Sequence, residues 1–117
     1  MAGLAQRTCV PCRGGVPPLT PEQFAPLLAQ VEGWKVVDNH HLEKRYDLED
    51  FVQALDLVNR IGAIAEEQGH HPDLYLAWGR VEVKIWTHKI NGLTESDFIL
   101  AAKCDVTFAR MPRASKA

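Results

Sequence analysis

No apolar run in this sequence approaches the roughly 20 residues that cross a bilayer. The first twenty residues also lack the apolar core of a secretory signal. Both absences point to a soluble, cytoplasmic protein with no membrane partner. No run of five like charges occurs, and the net charge is only -2. The basic face that nucleic acid would require is therefore missing, and no direct nucleic-acid partner is expected. Cysteine is scarce. Three residues, Cys9, Cys12 and Cys104, are too few for a disulfide framework. Cys9 and Cys12 form a C-x-x-C, but in the Pro- and Gly-rich stretch from Thr8 to Pro18. A redox pair normally opens a helix after a strand, where the helix dipole lowers the thiol pKa. A structural zinc would need two more soft ligands, and Cys104 supplies one.

What remains is an ordinary globular composition. The chain has 117 residues, 46% hydrophobic and 24% charged, enough for one domain with a real core. Residues 1–19 read as a flexible arm, 20–108 as the folded domain and 109–117 as a flexible tail. Order is expected to begin at Thr20, where Thr20-Pro21-Glu22-Gln23 combines an N-cap, a first-turn proline and a capping-box glutamine. Phe24, Leu27, Leu28 and Val31 follow at helical spacing, interrupted by Pro26 and stopped at Gly33. Trp34–Val37 and His41–Tyr46 predict a hairpin turning at Asp38-Asn39. Asp47 is the expected cap of a long helix with Phe51, Leu55, Val58, Ile61 and Ala65 inward and Gly69 as its stop. A second hairpin, Leu74–Ala77 and Val81–Thr87, turns at Trp78-Gly79. Thr94 then caps a last helix with Phe98, Ala101 and Ala102 inward. The predicted fold is α+β, a four-stranded antiparallel sheet covered on one face by three helices in the order α-β-β-α-β-β-α. The other sheet face, charged beside Trp86, is left for solvent or assembly.

The titratable chemistry concentrates between Glu66 and Asp97. Three of the five histidines, His70, His71 and His88, lie there, with Trp78 and Trp86 interleaved and Pro72 after the histidine pair. A histidine cluster suits either proton transfer or metal binding. Zinc could be satisfied in number by three His with Glu66 or Asp97. Against it, adjacent histidines in an extended segment point to opposite sides, and no H-E-x-x-H spacing occurs. Glu66 stands one helical turn before His70 and could orient it. Asp97, third in its helix, favours the helix dipole whatever else it does. Trp78 and Trp86 are packing residues or platforms for a flat heterocycle, while His40 and His41 are expected to be solvated.

At these residues the chain resembles the pterin-4a-carbinolamine dehydratases. The pattern is carried by Glu66, His70-His71-Pro72, Trp78, Thr87-His88, Gly92-Leu93-Thr94 and Asp97, and it spans roughly Leu19 to Cys104. The resemblance implies dehydration of 4a-hydroxytetrahydropterin to quinonoid dihydropterin, with a pterin substrate and no metal or organic cofactor. It makes His70, His71 and His88 the catalytic candidates, with Glu66, Pro72, Trp78 and Asp97 in support. His70 and His88 would share the acid and base roles in either order, with Glu66 tuning His70 and Asp97 holding His88 or the local structure. Homodimers or homotetramers are also implied. Leu74 stands where some animal members have Trp. The competing reading is a non-catalytic partner of the same fold, such as a Rubisco assembly factor-like or regulatory protein. Assembly relatives as a rule have degraded active-site motifs, whereas this one is intact.

Overall fold

A computed structural model describes residues 3–9 and 16–111. Cys12, and with it the C-x-x-C as a pair, lies outside the described residues, as does the tail from 112 onward. Helix α1 (Pro21–Leu28) is followed by β1 (Lys35–Val37), β2 (His41–Asp47), α2 (Phe51–Gln68), β3 (Asp73–Ala77), β4 (Arg80–Ile85) and α3 (Glu95–Arg110). The strands form one antiparallel sheet in the order β1-β2-β4-β3. The predicted α+β architecture and element order therefore hold.

Local chemistry explains most boundaries. The Thr20 hydroxyl accepts from the Gln23 amide at 3.3 Å and the Gln23 side chain returns the bond at 2.9 Å, so α1 starts at its capping box. Asp38 and Asn39 both adopt φ 53°, and the His40 amide reaches the Val37 carbonyl at 2.8 Å. That is the left-handed pair a tight hairpin turn requires. At the other hairpin Gly79 takes φ 70°, where a Cβ would stand 3.2 Å from the Leu48 carbonyl oxygen.

Period-two alternation sorts the sheet into two faces. Leu42, Tyr46, Val81, Val83 and Ile85 are buried against Ala54, Leu57 and Ile61 of α2 and Phe98 and Ala101 of α3. α1 joins through Phe24, whose ring stacks on Phe98 with centroids 6.2 Å apart. Asp105 of α3 ties the helices to the sheet. It accepts from the Tyr46 hydroxyl at 2.6 Å, Lys44 Nζ at 2.8 Å and Trp34 Nε1 at 3.1 Å. Burial, aided by Cys104 and Asp105 nearby, pushes the Tyr46 phenol well above its usual range, so it stays a donor. The opposite face carries charged pairs such as Arg45–Asp47 and Lys84–Glu43. The exposed apolar residues of α2 lie elsewhere, at Phe51, Val52 and Leu55.

Three sequence expectations are corrected. The cap of α2 is Asp50, whose carboxylate accepts from the Gln53 amide at 2.9 Å. Asp47 instead extends β2, paired with Arg80. The inward stripe of α2 is Gln53, Ala54, Leu57, Ile61 and Ala65, leaving Phe51 and Leu55 outside. Two apolar sets with helical spacing compete in this helix, and the one containing the small Ala54 packs closer to the sheet. Order also does not begin at Thr20 or end at 108. Leu4–Gln6 forms a 3-10 helix with Leu4 buried, Cys9 is buried, α3 runs to Arg110 and Met111 is buried.

Candidate active site

The site forms where the β3–β4 ladder opens. Asp73 pairs with Lys84, and continuing that antiparallel register three residues outward brings His70 level with Thr87. The approach to β3 is fixed by the end of α2. Gly69 adopts φ 65°, its amide bonds the Glu66 carbonyl, and the His70 amide bonds the Ala65 carbonyl at 3.2 Å. These are the two bonds of a Schellman motif, which reverses the chain and sets His70 at a defined angle.

Asp97 is the centre of the arrangement. Its side chain is fully buried, which a carboxylate tolerates only with its lone pairs occupied. Oδ1 lies 2.5 Å from His70 Nε2. Oδ2 accepts from the Thr94 amide at 2.8 Å and the Thr87 hydroxyl at 2.9 Å. One carboxylate thus caps α3, holds His70 and grips the residue before His88. Since a carboxylate only accepts, the proton of a neutral His70 belongs on Nε2, which leaves Nδ1 as the nitrogen able to take a proton.

His88 opens a short 3-10 turn, His88–Ile90, closed by Asn91 at φ 53°. Thr87 pins that loop through its amide to the Gly92 carbonyl at 2.8 Å. The exposed His88 ring meets Trp86 edge-on at 4.5 Å. Trp86 also contacts His40 at 5.1 Å and His41 at 5.9 Å between ring centroids.

His40 and His41 are not solvated as expected but half-buried and joined in a chain. His40 Nε2 is 2.8 Å from Asn91 Oδ1, the two Nδ1 atoms are 3.0 Å apart, and His41 Nε2 is 2.9 Å from Glu43 Oε2. Of the two facing Nδ1 atoms, one must carry a proton and the other a lone pair. The bond from His41, with lysine neighbours assisting, holds the Glu43 carboxyl below its usual range. The strand order, a tertiary fact, builds this wall. Leu42 pairs with Ile85, which puts His41 beside Trp86.

Glu66 does not reach His70. Its Oε2 lies 2.5 Å from His71 Nε2, in a pair with both side chains exposed. Pro72 leads into β3. Trp78 lies in the β3–β4 turn, 71% exposed. It sits at the end of the ladder away from His70 and His88, about 23 Å along the strands at the usual rise, and is not joined to them within one chain. Among the described residues, no three His, Cys, Asp or Glu side chains converge as a metal ion would need. No helix among them is long and apolar enough to cross a membrane.

This end of the sheet carries His70, bonded to a buried carboxylate, and His88, beside an indole. The pterin 4 alpha carbinolamine dehydratase family pattern matches residues 17–107, and the chain belongs to that family. A protein of Rubrobacter xylanophilus, provisionally named pterin-4-alpha-carbinolamine dehydratase, is 56% identical over 105 residues, 90% of this chain and 98% of that protein. A Rickettsia canadensis protein with the same provisional name is 53% identical, covering 90% of this chain and 97% of its own. The crystal structure of a transcriptional coactivator/pterin dehydratase from Brucella melitensis superposes with a TM-score of 0.72 at 31% identity, over 76% of this chain and 96% of that one. A pterin dehydratase-like Rubisco assembly factor of the alpha-carboxysome shares the fold, with a TM-score of 0.58 at 20% identity over 66% of this chain and 90% of its own.

Proposed function

We propose that this protein dehydrates 4a-hydroxytetrahydropterin to quinonoid dihydropterin, with His70 and His88 exchanging the two protons. One imidazole gives a proton to the 4a-hydroxyl as its C–O bond breaks, and water leaves. The other takes the proton from the ring nitrogen bonded to that carbon, and the freed electron pair becomes the new C=N bond. Groups titrating near neutrality suit both transfers. The observation that carries this reading is the double grip of Asp97, on His70 through Oδ1 and on Thr87, beside His88, through Oδ2. Catalysis of this kind depends on holding two groups in fixed relation.

His71, exposed and tethered to Glu66, is the pterin-contacting residue of the pair, and Pro72 fixes the chain as it enters β3. Trp86 with His40 and His41 supplies an aromatic wall against which a pterin ring can lie. The work is assigned to these side chains without a metal or organic cofactor. Self-association into dimers or tetramers is supported by exposed Phe51, Val52 and Leu55 on α2. Light scattering of Val52→Glu should show a smaller assembly than the parent.

The test is stopped-flow dehydration of the carbinolamine by the parent, His70→Ala and His88→Ala, each with EDTA. Acceleration should survive chelator and fall at least about 100-fold in either variant. No acceleration by the folded parent would overturn the reading in favour of the non-catalytic partner role, and loss in EDTA would transfer the chemistry to a metal.

A further inference from the structure

The family pattern begins at residue 17, yet the segment 3–9 ahead of it is seated on the two helix ends that build the site. Arg7 makes a two-pronged pair with Glu95, both nitrogens 2.7 Å from the carboxylate oxygens. The Cys9 amide donates to the Gln68 side-chain oxygen at 2.9 Å, and its thiol to the Ser96 carbonyl at 3.6 Å. Gln68 closes α2 two residues before His70. Glu95 and Ser96 open α3 immediately before Asp97. Leu4 and Cys9 are 4% and 6% exposed, and Lys103 Nζ holds the Ala5 carbonyl at 2.9 Å.

The His70–Asp97 bond joins the C-terminal end of α2 to the N-terminal end of α3. A single hydrogen bond between two helix ends is only as well aimed as the ends are fixed. Segment 3–9 bonds to both, one residue or two from each partner. The arm's ion pair is solvent-exposed and weak alone. Its buried Leu4 and Cys9 keep it docked, and the polar bonds set its register.

We propose that residues 3–9 are a positioning clamp, which holds the ends of α2 and α3 in register so that His70 and Asp97 keep their hydrogen bond. Arg7 and Cys9 touch no substrate and act through Glu95, Ser96 and Gln68. The kinetic part of this inference rests on the dehydratase reading, but the geometric part does not.

Two full-length variants test it. Arg7→Glu sets like charges against Glu95, and Leu4→Asp puts a carboxylate into the buried seat. In the parent, nitrogen-15 NMR should show a slowly exchanging His70 Nε2–H. In both variants that signal should broaden or vanish, with unfolding temperatures still well above the assay. The turnover number should fall about 10-fold with KM within about twofold. Adding Glu95→Arg to Arg7→Glu should restore both signal and turnover, as expected if the Arg7–Glu95 pair itself carries the effect. An unchanged His70 signal in Arg7→Glu and Leu4→Asp would overturn the clamp, as would losses that only follow the unfolded fraction. If the parent proved inactive as a dehydratase, the dehydratase reading would fall and the His70 signal would still decide the clamp.

Discussion

Glu66 is bonded to His71 and not to His70, although His70 stands one helical turn after it. The Schellman motif at Gly69 turns the chain away from the helix axis, so the side chain at i+5 takes the place the helix would give to i+4. An exposed pair such as this contributes little to stability, about 0–1 kcal/mol. Glu66→Gln should therefore leave the unfolding temperature within about 3 °C of the parent and alter KM more than the turnover number. A turnover loss as large as that of an Asp97 variant would show that Glu66 acts on the reacting atoms.

Asp97 is the opposite case, a buried carboxylate with three partners. In Asp97→Asn the side-chain oxygen can still accept from the Thr94 amide and Thr87. The new NH2 group, however, must face His70 Nε2 as a donor. A neutral His70 would then carry its proton on Nδ1, the wrong tautomer for a base. Turnover should fall about 10- to 100-fold at a stability cost of about 1 kcal/mol. Asp97→Ala should add the loss of the Thr94 amide's acceptor and of one of the two partners of the Thr87 hydroxyl, which still reaches the Thr94 hydroxyl at 3.0 Å, for a total of about 2 kcal/mol. Chemical denaturation and imidazole tautomer signals measured side by side would separate the effects. A fully active Asp97→Asn would break the proposed mechanism.

Asp105 has no place in the chemistry but gathers Tyr46, Lys44 and Trp34 around one carboxylate. Removing it leaves the almost wholly buried Tyr46 hydroxyl without its acceptor. Asp105→Ala should destabilise the fold by about 3 kcal/mol, or roughly 10 °C, while the folded fraction keeps its kinetics. Tyr46→Phe combined with Asp105→Ala should be less harmful than the two costs summed, because the orphaned donor is gone.

These results separate what local sequence can state from what it cannot. The Thr20–Gln23 and Thr94–Asp97 boxes, the Gly69 stop and the Gly79 turn depend on neighbours a few residues away, and each was legible. The three histidines and Asp97 were legible as a concentration of titratable side chains between Glu66 and Asp97. Their pairing was not. Which carboxylate meets which imidazole depends on how α2 ends and on the crossing of α2 and α3, both tertiary facts. His40 and His41 were missed because the order β1-β2-β4-β3, which sets β2 beside β4, is not written in either hairpin alone. The seat of 3–9 was not legible because the partners of Arg7 and Cys9 lie 59 to 88 residues away, on α2 and α3.

Burial sets the alkaline limit of this fold. The Cys9 thiol is pushed up from 9.0 to about 11, chiefly by desolvation, and the wholly buried Cys104 and Tyr46 are raised for the same first reason. For an acid whose folded pKa lies above its unfolded value, the unfolded chain loses its proton first. Its contribution to stability is then complete below the unfolded pKa and declines as pH rises toward the folded one. Denaturant midpoints should accordingly hold between pH 7 and 8.5 and fall from about pH 9 to 11. In Cys9→Ala the decline should be shallower over that window. Below pH 9, with both thiols protonated and buried, a disulfide reagent should modify neither Cys9 nor Cys104 in a Cys12→Ser chain until denaturant is added. A midpoint that rose between pH 9 and 11, or rapid modification of the folded chain at pH 7, would show that Cys9 is not seated as described.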